Sequence, residues 1–378
     1  MTTALPRALQ VEVTGACNLR CRMCLVRYRP ALNRLTASLT FETFRRLVDA
    51  APGLDTITLQ GLGEPLMAPD LFPMLAYAKA RGIRAGFNTN GALLTRAIAE
   101  QLLDAGLDWL CVSIDGARRA TYESIRDGAS FDKVCANVRG FTALMRDRAA
   151  THPALSFVFV AMRRNVGELS ELVRLAADLG VPTIRVQNLS HSFSDTDPAG
   201  DYREIREFAA SEALWQCEPQ DFGGAAGGAR PRRVYEKSCE PQDVGGARPR
   251  RVDEKSERVL PPARRVESVA AIFADARATA KALGVALRLP EVEEPPARRE
   301  RGAPGCDWPW RSAYVRQDGK VQPCCMLMGG DRAILGDVAT TPFAEIWDGD
   351  DYRAFRAALL SDRPPDVCRG CAMYRGVF

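Results

Sequence analysis

Three cysteines in one short loop, Cys17, Cys21 and Cys24 in Thr14-Gly-Ala-Cys-Asn-Leu-Arg-Cys-Arg-Met-Cys24, supply three thiolates rather than four. Structural zinc closes its shell with four ligands, and a cubane iron–sulfur cluster takes one thiolate per iron. Three thiolates on a cubane leave one iron free to chelate a small molecule. The competing readings are a zinc knuckle that borrows a remote fourth ligand, or buried unreactive cysteines. A second set lies far along the chain: Cys306, the adjacent Cys324 and Cys325 after Gly319-Lys-Val-Gln-Pro, and Cys368-Arg-Gly-Cys371. A four-cysteine zinc ribbon is one use of such a set. Cys111 in a strand-like run and Cys135 in a helical one read as core residues.

The elements that must position these thiolates alternate. Ala8–Val13, Asp55–Gln60, Ile83–Phe87, Trp109–Ile114, Leu155–Met162 and Thr183–Asn188 are short apolar runs that read as strands. Between them lie amphipathic helical stretches: Phe41–Ala50 with Thr40 as N-cap, Asp70–Arg81, Thr95–Ala105, Phe131–Met145 and Glu168–Leu179. This order predicts an α/β fold with a parallel sheet, open or rolled into a barrel. Active-site loops then collect at the C-terminal strand ends, where the first cysteine loop falls.

Three more loops share that predicted rim. Gly61-Leu-Gly-Glu-Pro65 offers a carboxylate and close backbone approach, suited to a cation, although a plain Gly/Pro turn explains it as well. Asn88-Thr-Asn-Gly91 brings short amides and a hydroxyl, apt for a ribose. Val112-Ser-Ile-Asp-Gly116 is followed by Ser124-Ile-Arg-Asp127, whose Arg126 suits a carboxylate because its fork bonds one bidentately. Asp115 reads equally as a turn or cap residue.

Composition narrows the setting. The chain has 378 residues, 46% hydrophobic and 26% charged, enough for a large core and more than one domain. A net charge of +4 with no basic face interleaved with aromatics argues against nucleic acid. No apolar run is long enough to span a membrane and no signal-peptide layout opens the chain, so no membrane role is expected. Twelve cysteines then imply a reducing, cytoplasmic setting in which clustered cysteines bind metal.

The cysteine spacing after a strand, together with the three later loops in order, resembles the radical S-adenosylmethionine (SAM) superfamily. The resemblance implies a partial (β/α) barrel in which Cys17, Cys21 and Cys24 hold a [4Fe-4S] cluster that chelates SAM. It places Gly61, Gly63, Glu64 and Pro65 on the methionine ammonium, Asn88 and Asn90 near the ribose, and Ser113 and Arg126 on the methionine carboxylate, with Asp115 a further member of the SAM site. Leu62 stands where the family usually has glycine, and Met23 where it commonly has an aromatic near adenine. The C-terminal set, with Trp308-Pro-Trp310, a hairpin turning at Asp318-Gly319 and Glu345-Ile-Trp347 before a helix near Tyr352–Leu360, resembles the SPASM/twitch extension. That implies a small α+β domain with one auxiliary [4Fe-4S] cluster on Cys306, Cys324, Cys368 and Cys371, with Cys325 the rival of Cys324.

The expected organisation is a core over 1–215, a duplicated Gly/Pro/Arg-rich and disordered insertion over 216–265, the last barrel helix and strand over 266–289, a linker over 290–304 and the cluster domain over 305–378. Cys217 and Cys239 are copies within the duplication rather than a ligand pair. The implied activity is reductive SAM cleavage and oxidative hydrogen abstraction from a peptide or protein side chain, fed by a flavodoxin- or ferredoxin-like donor. An aminocyclitol-type small-molecule dehydrogenase and a non-catalytic iron–sulfur electron-transfer or sensing protein are the alternatives. No leader-binding domain is expected before Ala8, so a peptide substrate is expected to need a separate leader-binding partner. Substrate-facing candidates are Gln187, Asn188 and His191, with Asp195 and Asp197 following.

Overall fold

Seven short strands pair in sequence order because each βα unit returns the chain parallel to its last strand. They are β1 (Ala8–Val11), β2 (Thr56–Thr58), β3 (Arg84–Thr89), β4 (Trp109–Ser113), β5 (Ala154–Ala161), β6 (Thr183–Asn188) and β7 (Ala286–Arg288). The structure, a computed structural model, describes residues 4–28, 37–189, 203–214, 268–290, 306–327, 332–369 and 371–375. The insertion expected at 216–265, the linker after Pro290, and His191, Asp195, Asp197, Cys217 and Cys239 lie outside these residues.

The helices are α1 (Leu25–Tyr28), α2 (Phe41–Asp49), α3 (Leu71–Ala80), α4 (Arg96–Asp104), α5 (Arg119–Ile125), α6 (Phe131–Asp147), α7 (Leu169–Leu179), α8 (Arg203–Glu212) and α9 (Val269–Leu283). Local chemistry fixes their starts. Thr40, Thr95 and Ser130 accept the amides of Thr43, Ile98 and Lys133, satisfying donors a helix start leaves free. Asp70 precedes α3 without capping it; its carboxylate instead takes the Phe41 amide at 2.9 Å, tying α2 to α3.

Side chains alternate across each strand, so the sheet has an apolar face and a polar face. Leu9, Val11, Ile57, Phe87, Leu110, Val112, Phe157, Phe159 and Ile184 are buried under the helices in one continuous core. Each contributes about 1.5–3 kcal/mol by leaving water. The opposite face carries Gln10, Thr58, Gln60, Asn88, Ser113, Arg185 and Gln187. At its N-terminal end the Trp109 indole lies over Gly86, where a Cβ would sit 2.3 Å from the ring. Only glycine fits beneath that indole.

The sheet does not stop at β1. Residues after Cys306 form α10 (Trp308–Arg311), β8 (Ser312–Val315), β9 (Lys320–Gln322) and β10 (Gly336–Asp337), followed by α11 (Phe343–Trp347), α12 (Asp350–Leu360), α13 (Asp366–Arg369) and α14 (Ala372–Arg375). β8 runs parallel to β1, Ala8 opposite Ser312 and Val11 opposite Val315, so the order is β10-β9-β8-β1-β2-β3-β4-β5-β6-β7. The hairpin turns at Gly319, whose φ of 83° favours glycine. The strands of the C-terminal region, expected as a small α+β domain, continue the main sheet.

Candidate active site

The rim above the polar face is assembled by backbone contacts among the four loops. Glu64 N donates to Ala16 O at 2.8 Å, joining the Gly61–Pro65 loop to the cysteine loop. Gly63 packs so closely that a Cβ there would lie 2.2 Å from Thr14 O. On the other side Arg20 N and Arg22 N donate to Asp127 O and Ile125 O at 3.0 and 2.9 Å, so the Ser124–Asp127 segment forms a second wall of the cysteine loop.

Within this frame Cys17 and Cys24 are half-buried and Cys21 is buried. Burial pushes all three thiols above the ordinary cysteine value, Cys24 to about 12, and for Cys17 and Cys24 the neighbouring thiolates add to the rise. For Cys21 the Arg126 guanidinium opposes it, with Nη1 3.9 Å from Sγ. Three acceptor sulfurs of this kind, held in apolar surroundings, suit a cationic metal group that takes up thiolates.

Glu64 is 2% exposed, and its two oxygens accept from the Thr89 hydroxyl at 2.7 Å, Asn90 N at 2.8 Å and Leu66 N at 3.2 Å. It clamps the second loop to the third. Asn90 Nδ2 reaches Asn18 Oδ1 at 2.9 Å, and Asn88 N donates to the Gln60 side chain at 3.0 Å. Pro65 opens a short 3-10 turn directly after Glu64. Arg126 and Asp115 are both buried and form an ion pair at 2.7 Å, while Asp115 also accepts Val160 N at 2.8 Å. Asp115 therefore faces Arg126, and the Asp115 loop is fixed by Asn165 Nδ2 on its carbonyl at 3.1 Å and by Glu168 on Ala117 N at 2.9 Å. Ser113 points to the polar face. Met23 packs with Ile125, Met162, Leu189 and Ile205, an apolar patch beside the cysteine loop. Gln187 and Asn188 end β6 half-buried.

One residue not singled out from sequence is Glu12, directly after β1. Only 3% exposed, it accepts Leu62 N at 2.7 Å, and a Cβ on Gly61 would lie 2.3 Å from its Cγ. Burial raises its pKa, against the Leu62 amide, the Tyr314 hydroxyl, the Arg316 charge and the Gln317 amide, which hold it down. Glu12 thereby touches both the Gly61–Pro65 loop and the C-terminal hairpin. In sequence it is one polar residue in an alternating strand, with no signal of what it meets.

The second cysteine set converges. Cys306, Cys324, Cys368 and Cys371 line one cavity of ≈ 420 Å³, its open mouth included, walled by Trp308, Pro309, Leu327, Phe355 and Leu359. Cys325 does not line it. Burial pushes Cys368 to about 12 and Cys324 well above its ordinary value, with the neighbouring thiols adding to the rise. Among the described residues no three Cys, His, Asp or Glu side chains are grouped tightly enough for one metal ion. Four thiols around an apolar cavity suit a polynuclear cluster in which each meets its own iron. Cys111 and Cys135 stand apart: Cys111 is buried and accepts the Ser156 hydroxyl at 3.1 Å, and Cys135 packs on the core.

Residues 11–176 match the family model of the radical SAM superfamily, and residues 306–372 that of the SPASM iron–sulfur cluster-binding domain. A tungsten-containing aldehyde ferredoxin oxidoreductase cofactor-modifying protein of Pyrococcus furiosus is 31% identical over 189 residues, 48% of this chain and 51% of that protein. The mycofactocin maturase MftC of Mycobacterium tuberculosis is 32% identical over 193 residues, 51% of this chain and 47% of the relative. The chain thus spans about half the length of the curated relatives it matches. Among solved structures, Streptococcus suis SuiB bound to the precursor peptide SuiA superposes with a TM-score of 0.59 at 12% identity, covering 98% of this chain and 71% of that one, a likeness of fold.

Proposed function

The chain belongs to the radical SAM superfamily and carries a SPASM region, and on that premise we propose that it oxidatively modifies a peptide or protein side chain. The observation that carries the reading is the pairing of two cysteine sites in one sheet: three thiols in the loop after β1 and four around the cavity beyond β9. The similarity to a maturase supports a peptide as substrate.

In this reading Cys17, Cys21 and Cys24 hold the SAM-binding [4Fe-4S] cluster, and Cys306, Cys324, Cys368 and Cys371 an auxiliary one. When bound, these groups and SAM supply a 5′-deoxyadenosyl radical that takes a substrate hydrogen atom, and an acceptor for the electron the substrate then loses. The residues do the positioning. The Gly61–Pro65 loop presents carbonyls where glycine allows close approach, Asn88 and Asn90 flank the ribose position, and Ser113 with Arg126 offers donors to a carboxylate. Asp115 holds Arg126 in place, and Glu64 locks the second and third loops together. Gln187 lies on the substrate side, whereas Asn188, its neighbour in β6, belongs to the opposite face.

Cleaving a sulfonium needs a cluster near the low end of the range of about −700 to +450 mV. A flavodoxin- or ferredoxin-like donor is therefore proposed, and a cytoplasmic setting with it. Among the described residues no helix is long and apolar enough to cross a membrane.

The test is anaerobic reconstitution with iron and sulfide, reduction by dithionite and mass detection of 5′-deoxyadenosine. Peptides encoded beside the gene are then added and their masses followed. Loss of about 2 Da per event is expected for a two-electron oxidation, in which one hydrogen leaves as an atom and one as a proton and an electron. A product isobaric with substrate, or one gaining a methyl or adenosyl group, would overturn the oxidative assignment.

A further inference from the structure

Among the described residues, the polar face of the sheet holds a half-buried cation without a counter-charge. Arg185 lies on β6 between Ile184 and Val186, which point into the helix-covered core, so its side chain belongs to the opposite face. The buried arginines among the described residues each have a partner, although Nε of Arg126 and one Nη of Arg356 are themselves enclosed without one: Arg126 has Asp115, Arg316 has Asp318, and Arg356 has the carbonyls of Pro309 and Trp347. Among the described residues Arg185 makes no ion pair, and its Nε is enclosed with no hydrogen-bond partner.

Its neighbours sharpen the point. Register places Arg185 beside Val158 of β5, which in turn lies beside Ser113 of β4. Two strand spacings put Arg185 about 10 Å across the sheet from Ser113. On its other side Arg185 pairs with Arg288 of β7, a second cation on the same face. Like charges directly opposite each other on neighbouring strands are unfavourable. An anion between them reverses that sign, and guanidinium forks match a carboxylate in shape as well as charge.

We propose that Arg185, with Arg288 beside it, is a specificity-determining site that binds a carboxylate of the substrate, so that the peptide acted on presents an acidic side chain or its C-terminal carboxylate close to the modified position. This rests on the peptide reading above. A carboxylate held here anchors the substrate next to the rim where Ser113 and Arg126 stand, and leaves Gln187, one register step further along β6, to bond the peptide backbone.

The experiment uses the full chain, anaerobically reconstituted and saturated with SAM, and a library of randomised octapeptides made both as C-terminal amides and as free acids. Bound peptides are separated by ultrafiltration and sequenced by mass spectrometry. For the amide library the bound fraction is expected to be enriched about tenfold in Asp and Glu, the effect of one charge-assisted bidentate contact. Arg185→Gln is expected to bring that enrichment to the input level, and Arg185→Lys to restore part of it. Iron content and far-UV circular dichroism confirm that both variants fold. Enrichment confined to free acids, and lost in Arg185→Gln, assigns the site to the C-terminal carboxylate. Equal enrichment in wild type and Arg185→Gln, or none in wild type, overturns the proposal while leaving peptide binding in place. Binding of no peptide at all, with Arg185-dependent binding of succinate, keeps the carboxylate site and overturns the peptide reading. Binding of neither overturns both.

Discussion

Arg126 stands between Asp115 and Cys21: its Nη2 pairs with the Asp115 carboxylate at 2.7 Å and its Nη1 lies 3.9 Å from the Cys21 sulfur. The turn after β4 is thereby tied electrostatically to the loop after β1, and a cation is fixed beside a thiol of the first cysteine set. Hydrogen bonds and charge near ligand sulfurs tune an iron–sulfur centre as well as hold it.

Removing the Asp115 charge is expected to leave Arg126 buried and uncompensated. Asp115→Asn should cost about 3–5 kcal/mol, the range for breaking a buried pair. Urea midpoints measure it. The double variant Asp115→Leu/Arg126→Met should recover much of the loss, because the penalty belongs to the stranded charge.

Cys17, Cys21 and Cys24 changed together to Ala should abolish 5′-deoxyadenosine formation and lower bound iron by roughly half, if each site holds four irons. Iron per chain and mass detection read both. Normal 5′-deoxyadenosine formation in this variant would refute the assignment of the first cysteine set.

The two adjacent cysteines should behave differently. Cys324 lines the C-terminal cavity and Cys325 does not. Cys324→Ser is expected to lose the auxiliary cluster, and Cys325→Ser to keep it, with Mössbauer spectra of the separate variants as the readout.

Gly63→Ala tests the close loop contact. A Cβ 2.2 Å from Thr14 O and 2.6 Å from Ala16 O meets backbone, which cannot swing aside as a side chain can. The cost should be about 1–3 kcal/mol of stability. SAM affinity should fall about tenfold, equivalent to 1.4 kcal/mol, as measured by equilibrium dialysis.

Glu12 supplies a pH test. Burial raises its folded pKa above the unfolded value. Between those two values the folded chain holds a proton that the unfolded chain has released, so stability is greatest below the ordinary carboxyl range and declines as pH rises through it toward the raised value. Glu64 and Asp115 are raised by burial in the same direction. Glu12→Gln should flatten part of the decline in urea midpoint with pH. An unchanged slope would show that Glu12 titrates alike in both states.

What could be read in advance was local. Thr40 marks a helix start because a cap needs only its own next turn, and the strand order follows from βα alternation. The Asp318-Gly319 turn is equally local. The pairing of β1 with β8 was not legible, because nothing in Ala8–Val11 names Ser312–Val315 as its neighbour. Glu12 was missed for the same reason: its partners Leu62 and Tyr314 come from distant parts of the chain. Arg185 carries no signal in sequence because its meaning lies in the lack of a counter-charge among the described residues, which only packing exposes.

The parallel pairing of Ala8 with Ser312 also sets a clock on biosynthesis. The two strands are separated by about 300 residues, which a ribosome adding roughly 5–20 residues per second takes about 15–60 seconds to make. Throughout that interval the strand leading to Cys17 has one side without its eventual neighbour, an open template for other nascent chains. Slow or interrupted translation prolongs the exposure, so products that stop short of β8 are the ones expected to associate through their first strand.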